Sequence, residues 1–322
     1  MPPRVQRRRS RATCSSLQTI APLPGRYALA MRIARFSHNG EVSYGVVLGP
    51  DRPAGEAAGA GNGSATAGAS GPTGGSAGSA ADQLMVAQLA GHPFGGRAED
   101  IKLTGVRFPL ADVRLLAPIL PSKVICIGRN YAEHAREMGA EASEEPVIFL
   151  KPSTAVAGPG DPIVRPTDLS QRVDHEGELA VVFSRLCRQV PAERVPEVIF
   201  GYTCANDVTA RDLQARDGQW TRAKGFDTFC PLGPWIETEV DPADLELSTR
   251  LNGEVRQNSR TSLMMHDVPA LIVAVSQVMT LLPGDVLLTG TPAGVGPMRK
   301  ADEVSVTIER IGTLTNPVTD RE

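Results

Sequence analysis

Five apolar runs rich in Val, Ile, Leu and Phe constrain this chain most: "KVICIG" (123–128), "PVIFLK" (146–151), "GELAVVFS" (177–184), "VIFGYTCANDV" (198–208) and "DVLLTG" (285–290). Each is short, is bounded by Gly, Pro or a charge, and reads as a strand, the first as a buried one. Helix-period segments do not alternate with them one for one. The best helix candidate spans His266 to Leu282, with Leu271, Val275, Val278 and Leu282 at helical spacing and Pro283-Gly284 to end it. Shorter helical patterns follow Asn130 through Met138 and in "VTARDLQ". Asn39-Gly40 and Asn252-Gly253 each separate two strand-like runs and predict hairpins. More strands than helices, without βαβ alternation, exclude a Rossmann arrangement and predict an α+β, mainly β fold.

The 322 residues suffice for one large core and a smaller domain. Residues 1–30 hold six arginines and no acid, so they read as a disordered basic tail with the composition of an organellar import segment; Met31 opens the patterned chain. Residues 31–117 form the expected small N-terminal domain. Within it, 53–81 is almost wholly Gly, Ala, Ser, Thr and Pro, and reads as a flexible insertion that buries too little to offset its ordering entropy. Residues 118–322 form the main domain. A net charge of -3 provides no strong field for nucleic acid or an anionic surface, and no apolar run approaches the roughly 20 residues of a membrane span. The five cysteines are odd in number and widely spaced, with no C-x-x-C pair, which fits free thiols in a reducing cytoplasm; Cys126 and Cys204 lie in apolar runs as core residues.

Four constellations can carry chemistry. In "VDHEGELAVVF", Glu176 and Glu178 are two apart at the mouth of a strand, so period two puts them on one face. In water such a pair is harmless; at the mouth of a core it favours a cation between the two. Asp207, ending another apolar run, is either a third oxygen ligand or the N-cap of the helix that follows. Oxygen-only ligands suit Mg²⁺, Mn²⁺ or Ca²⁺. In "GRNYAEHAREMG", His134 and Glu137 share a helix face; they form either an oriented acid–base pair or a chance surface pair. Lys224, among Trp220, Phe226 and Phe229, is a lysine whose apolar setting either lowers its pKa or aims it at an anion, or else a stem covering aromatic surface. The glycine loop "TGTPAGVG" matches no nucleotide fingerprint, but its N–H groups, with Thr291, can hold a carboxylate.

Taken in order, "IGRNYAEHAREMG", "PVIFLKPSTAV", "DHEGELAVVF", "NDVTARDLQ", "WTRAKGFDTFCPLGPW" and "LLTGTPAGVGPM" resemble the fumarylacetoacetate hydrolase family, from about Pro121 to Val306. The resemblance implies a roll of packed β-sheets with a small N-terminal domain, usually a homodimer. It implies Mg²⁺ or Mn²⁺ on Glu176, Glu178 and Asp207, a catalytic dyad of His134 and Glu137, and an active-site Lys224. It places Arg211 and Gln214 near the substrate or the metal, and the glycine loop adds Thr291 as a substrate contact. The implied activity is on small 2-keto or 2-enol carboxylic acids by enolate stabilisation. The outcomes are hydrolysis of acylpyruvates, or isomerisation or decarboxylation of hydroxymuconate-type or oxaloacetate-type acids, in aromatic catabolism. No nucleic-acid or membrane partner is expected. A non-catalytic keto-acid-binding homologue is the alternative.

Overall fold

A computed structural model describes residues 30–49, 84–94, 101–139 and 143–322. The basic tail, apart from its last residue, and the 53–81 segment lie outside the described residues.

The architecture is mainly β. One large sheet runs in the order Leu103–Pro109, Met85–Leu89, Glu41–Leu48, Arg32–His38, Cys230–Glu237, Ile199–Asn206, Gly177–Phe183, Val286–Leu288, Val124–Gly128, Val147–Lys151. The N-terminal strands join it where Arg32 and Ile33 pair with Glu237 and Ile236. A five-stranded sheet (Glu254–Arg260, Glu246–Leu251, Glu303–Ile308, Gly312–Asp320, Ile163–Arg165) lies beside it, and a three-stranded one joins Thr209–Ala210, Val173–His175 and Gly296–Pro297.

The apolar runs read as strands all form strands, because the strands in the middle of the large sheet have both faces covered. Along Gly177–Phe183, Leu179, Val181 and Phe183 pack with Leu247, Val306 and Ile308 of the second sheet and with Leu271, Ile272 and Val275 of a helix. Ala180 and Val182 point the other way, into a cluster with Ile33, Val46, Leu232 and Ile236. Both Asn-Gly pairs turn hairpins as expected. Asn39 and Gly40 have φ 51° and 84°, Asn252 and Gly253 53° and 82°, the left-handed pair that a two-residue turn demands.

The main helix is shorter than its pattern. It runs Val268–Val278, capped by the Asp267 side chain accepting from the Ala270 N–H, and Met279 is already extended. Leu271 and Val275 are buried, but Val278 and Leu282 are 64% and 37% exposed. The periodicity over-reaches because Pro283 and the return strand take up the chain before another turn can form. Cys126, Cys187, Cys204 and Cys230 are free, and all four are buried, Cys126 and Cys204 as expected. Among the described residues, no helix is long and apolar enough to cross a membrane.

Candidate active site

Glu176, Glu178 and Asp207 converge: one carboxylate oxygen from each lies within 4.8 Å of the others, and all three residues are buried. The route to this geometry differs from the period-two expectation. Glu176 is not in the strand with Glu178; it occupies the break between Val173–His175 and Gly177–Phe183, which belong to different sheets. Backbone ties fix the break. The Asp207 N–H donates to the Glu176 carbonyl at 2.8 Å, and the Glu176 N–H donates to Asn206 Oδ1 at 2.9 Å. Asp207 caps no helix. The helix Arg211–Asp217 begins after Ala210 with no side-chain cap.

Two of the three carboxylates are already neutralised by the chain. Lys224 Nζ donates to Glu176 Oε2 at 2.7 Å and to Asp207 Oδ2 at 2.6 Å. Lys151 Nζ donates to Asp207 Oδ1 at 2.6 Å and to the Val208 carbonyl at 3.1 Å. Arg211 reaches Glu176 Oε1 at 2.6 Å through one terminal N–H, Asp174 Oδ2 at 3.0 Å through Nε, and Gln214 Oε1 at 2.8 Å. Glu178 takes one hydrogen bond, from the Gly290 N–H at 2.6 Å, and among the described residues it pairs with no cation.

The protonation equilibria follow this division. Burial pushes the Glu176 carboxyl up, but Lys224 and Arg211 override it and hold it well below the usual carboxylate range. Burial, reinforced by Asp207 and Glu176, pushes Glu178 well above that range. Burial pulls Lys224 down, and the carboxylates of Asp207 and Glu176 more than offset it, so its value is raised. The lowered lysine that the aromatic surroundings suggested is therefore overturned by two acids the local sequence does not show. Lys224 Nζ does lie 5.0 Å from the Phe149 ring centroid.

The cluster fits a divalent cation on its own chemistry. Three buried carboxylates are hard oxygen donors, and at Glu178 the nearby Lys224 charge and the Gly290 N–H do not offset burial and the two neighbouring acids. Glu176, Glu178 and Asp207 are the residues that would hold it.

The helix Ala132–Glu137 carries the dyad. His134 Nδ1 lies 3.1 Å from Glu137 Oε2, with the imidazole nearly buried and Glu137 partly open. The glycine loop steadies both acids. Gly290 binds Glu178, and the Gly294 N–H donates to Glu137 Oε1 at 3.1 Å. Gly294 has φ 102°, and a Cβ there would sit 2.1 Å from the Arg256 carbonyl, so no other residue fits. The Thr291 hydroxyl donates to the Gly177 carbonyl and accepts from Gln257 Nε2. A cavity of about 390 Å³ is lined by the three carboxylates, His134, Lys224, Arg211, Gln214 and Thr291, and also by Arg129 and Trp220. Glu137 touches His134 without lining it.

Three residues of this network escaped the sequence reading. Lys151 ends the strand "VIFLK" and is buried there, where its ammonium meets the buried Asp207; a lysine closing an apolar run is the signal that could have found it. Asp174 and Arg129 carry no comparable signal alone; only the fold sets Asp174 against Arg211 and Arg129 against Trp220.

A mainly β fold gathers three buried acids, a lysine between two of them and a histidine oriented by a glutamate at one small cavity, a carboxylate cluster that could bind a divalent metal. The comparisons with known proteins specify it further. The domain described as fumarylacetoacetate (FAA) hydrolase C-terminal matches residues 123–319, and an Rv2993c-like N-terminal domain matches 78–118. Protein Rv2993c of Mycobacterium tuberculosis is 59% identical over 239 residues, 73% of this chain and 88% of that protein. The crystal structure of 2-hydroxyhepta-2,4-diene-1,7-dioate isomerase from Mycobacterium marinum superposes with a TM-score of 0.75 at 49% identity, over 90% of this chain and 99% of the other. Maleylpyruvate hydrolase from Sphingobium sp. SYK-6, in complex with manganese (II) ion and pyruvate, superposes at 0.66 with 30% identity, over 91% and 100%. The chain belongs to the fumarylacetoacetate hydrolase family.

Proposed function

We propose that this protein is a divalent-metal-dependent enzyme acting on small 2-keto or 2-enol carboxylic acids, with Mg²⁺ or Mn²⁺ held by Glu176, Glu178 and Asp207. The observation that carries the reading is the convergence of these three carboxylates with Lys224 and His134 at one cavity. The bound cation would supply Lewis acidity toward the oxygens of the keto acid. The residues do the rest. Lys224 places positive charge beside an oxygen that becomes an enolate, and Arg211, braced by Asp174 and Gln214, adds a second donor. His134, oriented by Glu137, moves a proton to or from the substrate or takes one from an attacking water. Thr291 and the loop around it keep the glutamates in place. Attack by water gives C–C hydrolysis, proton transfer alone gives isomerisation, and loss of a β-carboxylate gives decarboxylation. We take the enzyme to act in the cytoplasm as a homodimer, without nucleic-acid or membrane partners, in the breakdown of aromatic-derived acids.

Chelation and metal replacement test the reading. The chelated protein should be inactive on a panel of acylpyruvates, oxaloacetate and hydroxymuconate-type acids, and Mg²⁺ or Mn²⁺ should restore turnover. Activity that survives chelation ends the proposal. Tight pyruvate binding with no turnover on the whole panel would instead favour the non-catalytic binder. His134→Ala should lower kcat by about 10²–10⁴-fold while leaving metal affinity unchanged, as expected for loss of a positioned general acid or base. Initial rates and calorimetric metal titration separate those two effects.

A further inference from the structure

Arg129 is the cation in this cavity that the protein does not use. Lys224 and Arg211 also line it, and both are hydrogen-bonded to carboxylates. Arg129 is half-buried, and among the described residues no carboxylate, carbonyl or hydroxyl pairs with it. Its one recorded contact is with Trp220, whose ring centroid lies 5.7 Å from the guanidinium carbon.

The chain is built to hold this arrangement. Arg129 directly follows the strand Val124–Gly128 and has φ 59°, a left-handed conformation that a non-glycine residue adopts only where its surroundings impose it. Before it, Gly128 lets the edge of the indole approach the strand end closely. A Cβ at Gly128 would come within 2.5 Å of the Trp220 ring. Phe149 braces the indole from another side, with ring centroids 5.2 Å apart. The result is a planar, permanently charged fork stacked on a fixed aromatic wall, with its N–H donors unpaired. That fork matches a carboxylate in two-point geometry. The apolar lining of the cavity includes Ile127, Met138 and Phe149.

We propose that Arg129 receives a second carboxylate, at the end of the substrate remote from the keto-acid group, so that the site selects keto dicarboxylic acids over monocarboxylic acids of equal length. The inference rests on the proposed function for which end of the substrate meets the acidic cluster. Arg129 is here a specificity-determining residue, distinct from those assigned to the chemistry.

The test compares the full-length protein with Arg129→Met, which keeps the unbranched stem and so the same backbone demand. Turnover is followed on succinylpyruvate and butyrylpyruvate, two acids of equal chain length that differ in the terminal carboxylate. The wild type should favour the dicarboxylate by about tenfold or more in kcat/KM, and Arg129→Met should erase that preference while leaving the monocarboxylate within about twofold. Equal use of the two acids by the wild type, or equal loss on both in the variant, overturns the proposal. Calorimetry with 2-oxoglutarate and 2-oxovalerate asks the same question without chemistry. Tighter binding of 2-oxoglutarate that vanishes in Arg129→Met supports the assignment even if neither acylpyruvate is turned over, a result that would count against the proposed reaction alone. Arg129-independent binding of both overturns it.

Discussion

Glu178→Gln is expected to abolish metal-dependent turnover and, in the same protein, to raise the stability of the metal-free fold. The two effects have one cause. Glu178 is a buried carboxyl with one hydrogen bond, from Gly290, and no cationic partner among the described residues. Burial, Asp207 and Glu176 all push it above the usual carboxylate range. A carboxyl whose folded-state value lies above its unfolded one favours folding only while protonated. Its benefit is complete below the unfolded value and is lost as pH rises through the folded one. The metal-free wild type should therefore lose stability as pH climbs through that window, and Glu178→Gln should not. Glutamine keeps the acceptor for the Gly290 N–H and removes the charge, a gain of about 1–3 kcal/mol at the alkaline end. A divalent cation reverses the ranking. The wild type gains stability in proportion to ln(1 + [metal]/Kd), and the variant, one ligand short, gains little. Its kcat/KM should fall by about 10³-fold or more, the scale of losing a preorganised electrostatic device. Thermal melts across pH, with and without Mg²⁺, check the first effect, and steady-state rates check the second. A variant that melts lower than wild type without metal, or that turns over normally with it, contradicts the assignment of Glu178.

The strands were legible because buried strands of this sheet carry apolar residues on both faces, and short apolar runs between glycines and prolines have few other solutions. The acidic pair was legible as a pair, but the reason first given for its convergence was too simple. A break between two strands at Glu176, pinned by Asn206 and Asp207, brings the carboxylates together, and a period-two pattern cannot show such a break. The helix at 266–282 was over-read at its end, where periodicity continues past the point at which Met279 turns extended. Of the two effects expected of the surroundings of Lys224, the ammonium is aimed at anions but its value is not lowered, since the aromatic neighbours are local in sequence and the two acids that dominate it are not. Lys151, Asp174 and Arg129 show the same limit. Their roles depend on partners 56, 37 and 91 residues away, as set by Asp207, Arg211 and Trp220.

Lys224→Met should separate structure from chemistry at this site. Lys224 is 3% exposed, and its ammonium lies between Glu176 and Asp207. Removing it leaves Glu176 with Arg211 and Asp207 with Lys151, so neither acid is stranded, but each loses its shortest link to the other. Losing one partner from a buried charged set costs about 3–5 kcal/mol when nothing replaces it, and the two remaining partners put the expectation at the lower end. The lysine's value is raised in the folded state, so its contribution is complete below the unfolded value and is lost only as pH rises through the folded one. At neutral pH the variant therefore shows the whole loss, about 1–2 °C in Tm for each kcal/mol in a chain of this size. Mg²⁺ or Mn²⁺ should restore most of that stability, because the cation neutralises the same two carboxylates. Turnover should not return with it. The metal replaces the lysine's charge toward the protein's own acids but not its donor toward a developing enolate, so kcat/KM should stay about 10²–10³-fold down at saturating metal. Recovery of both stability and rate on adding metal would reduce Lys224 to a placeholder for the cation. Recovery of neither would mean that the lysine holds the carboxylates in the geometry the metal needs.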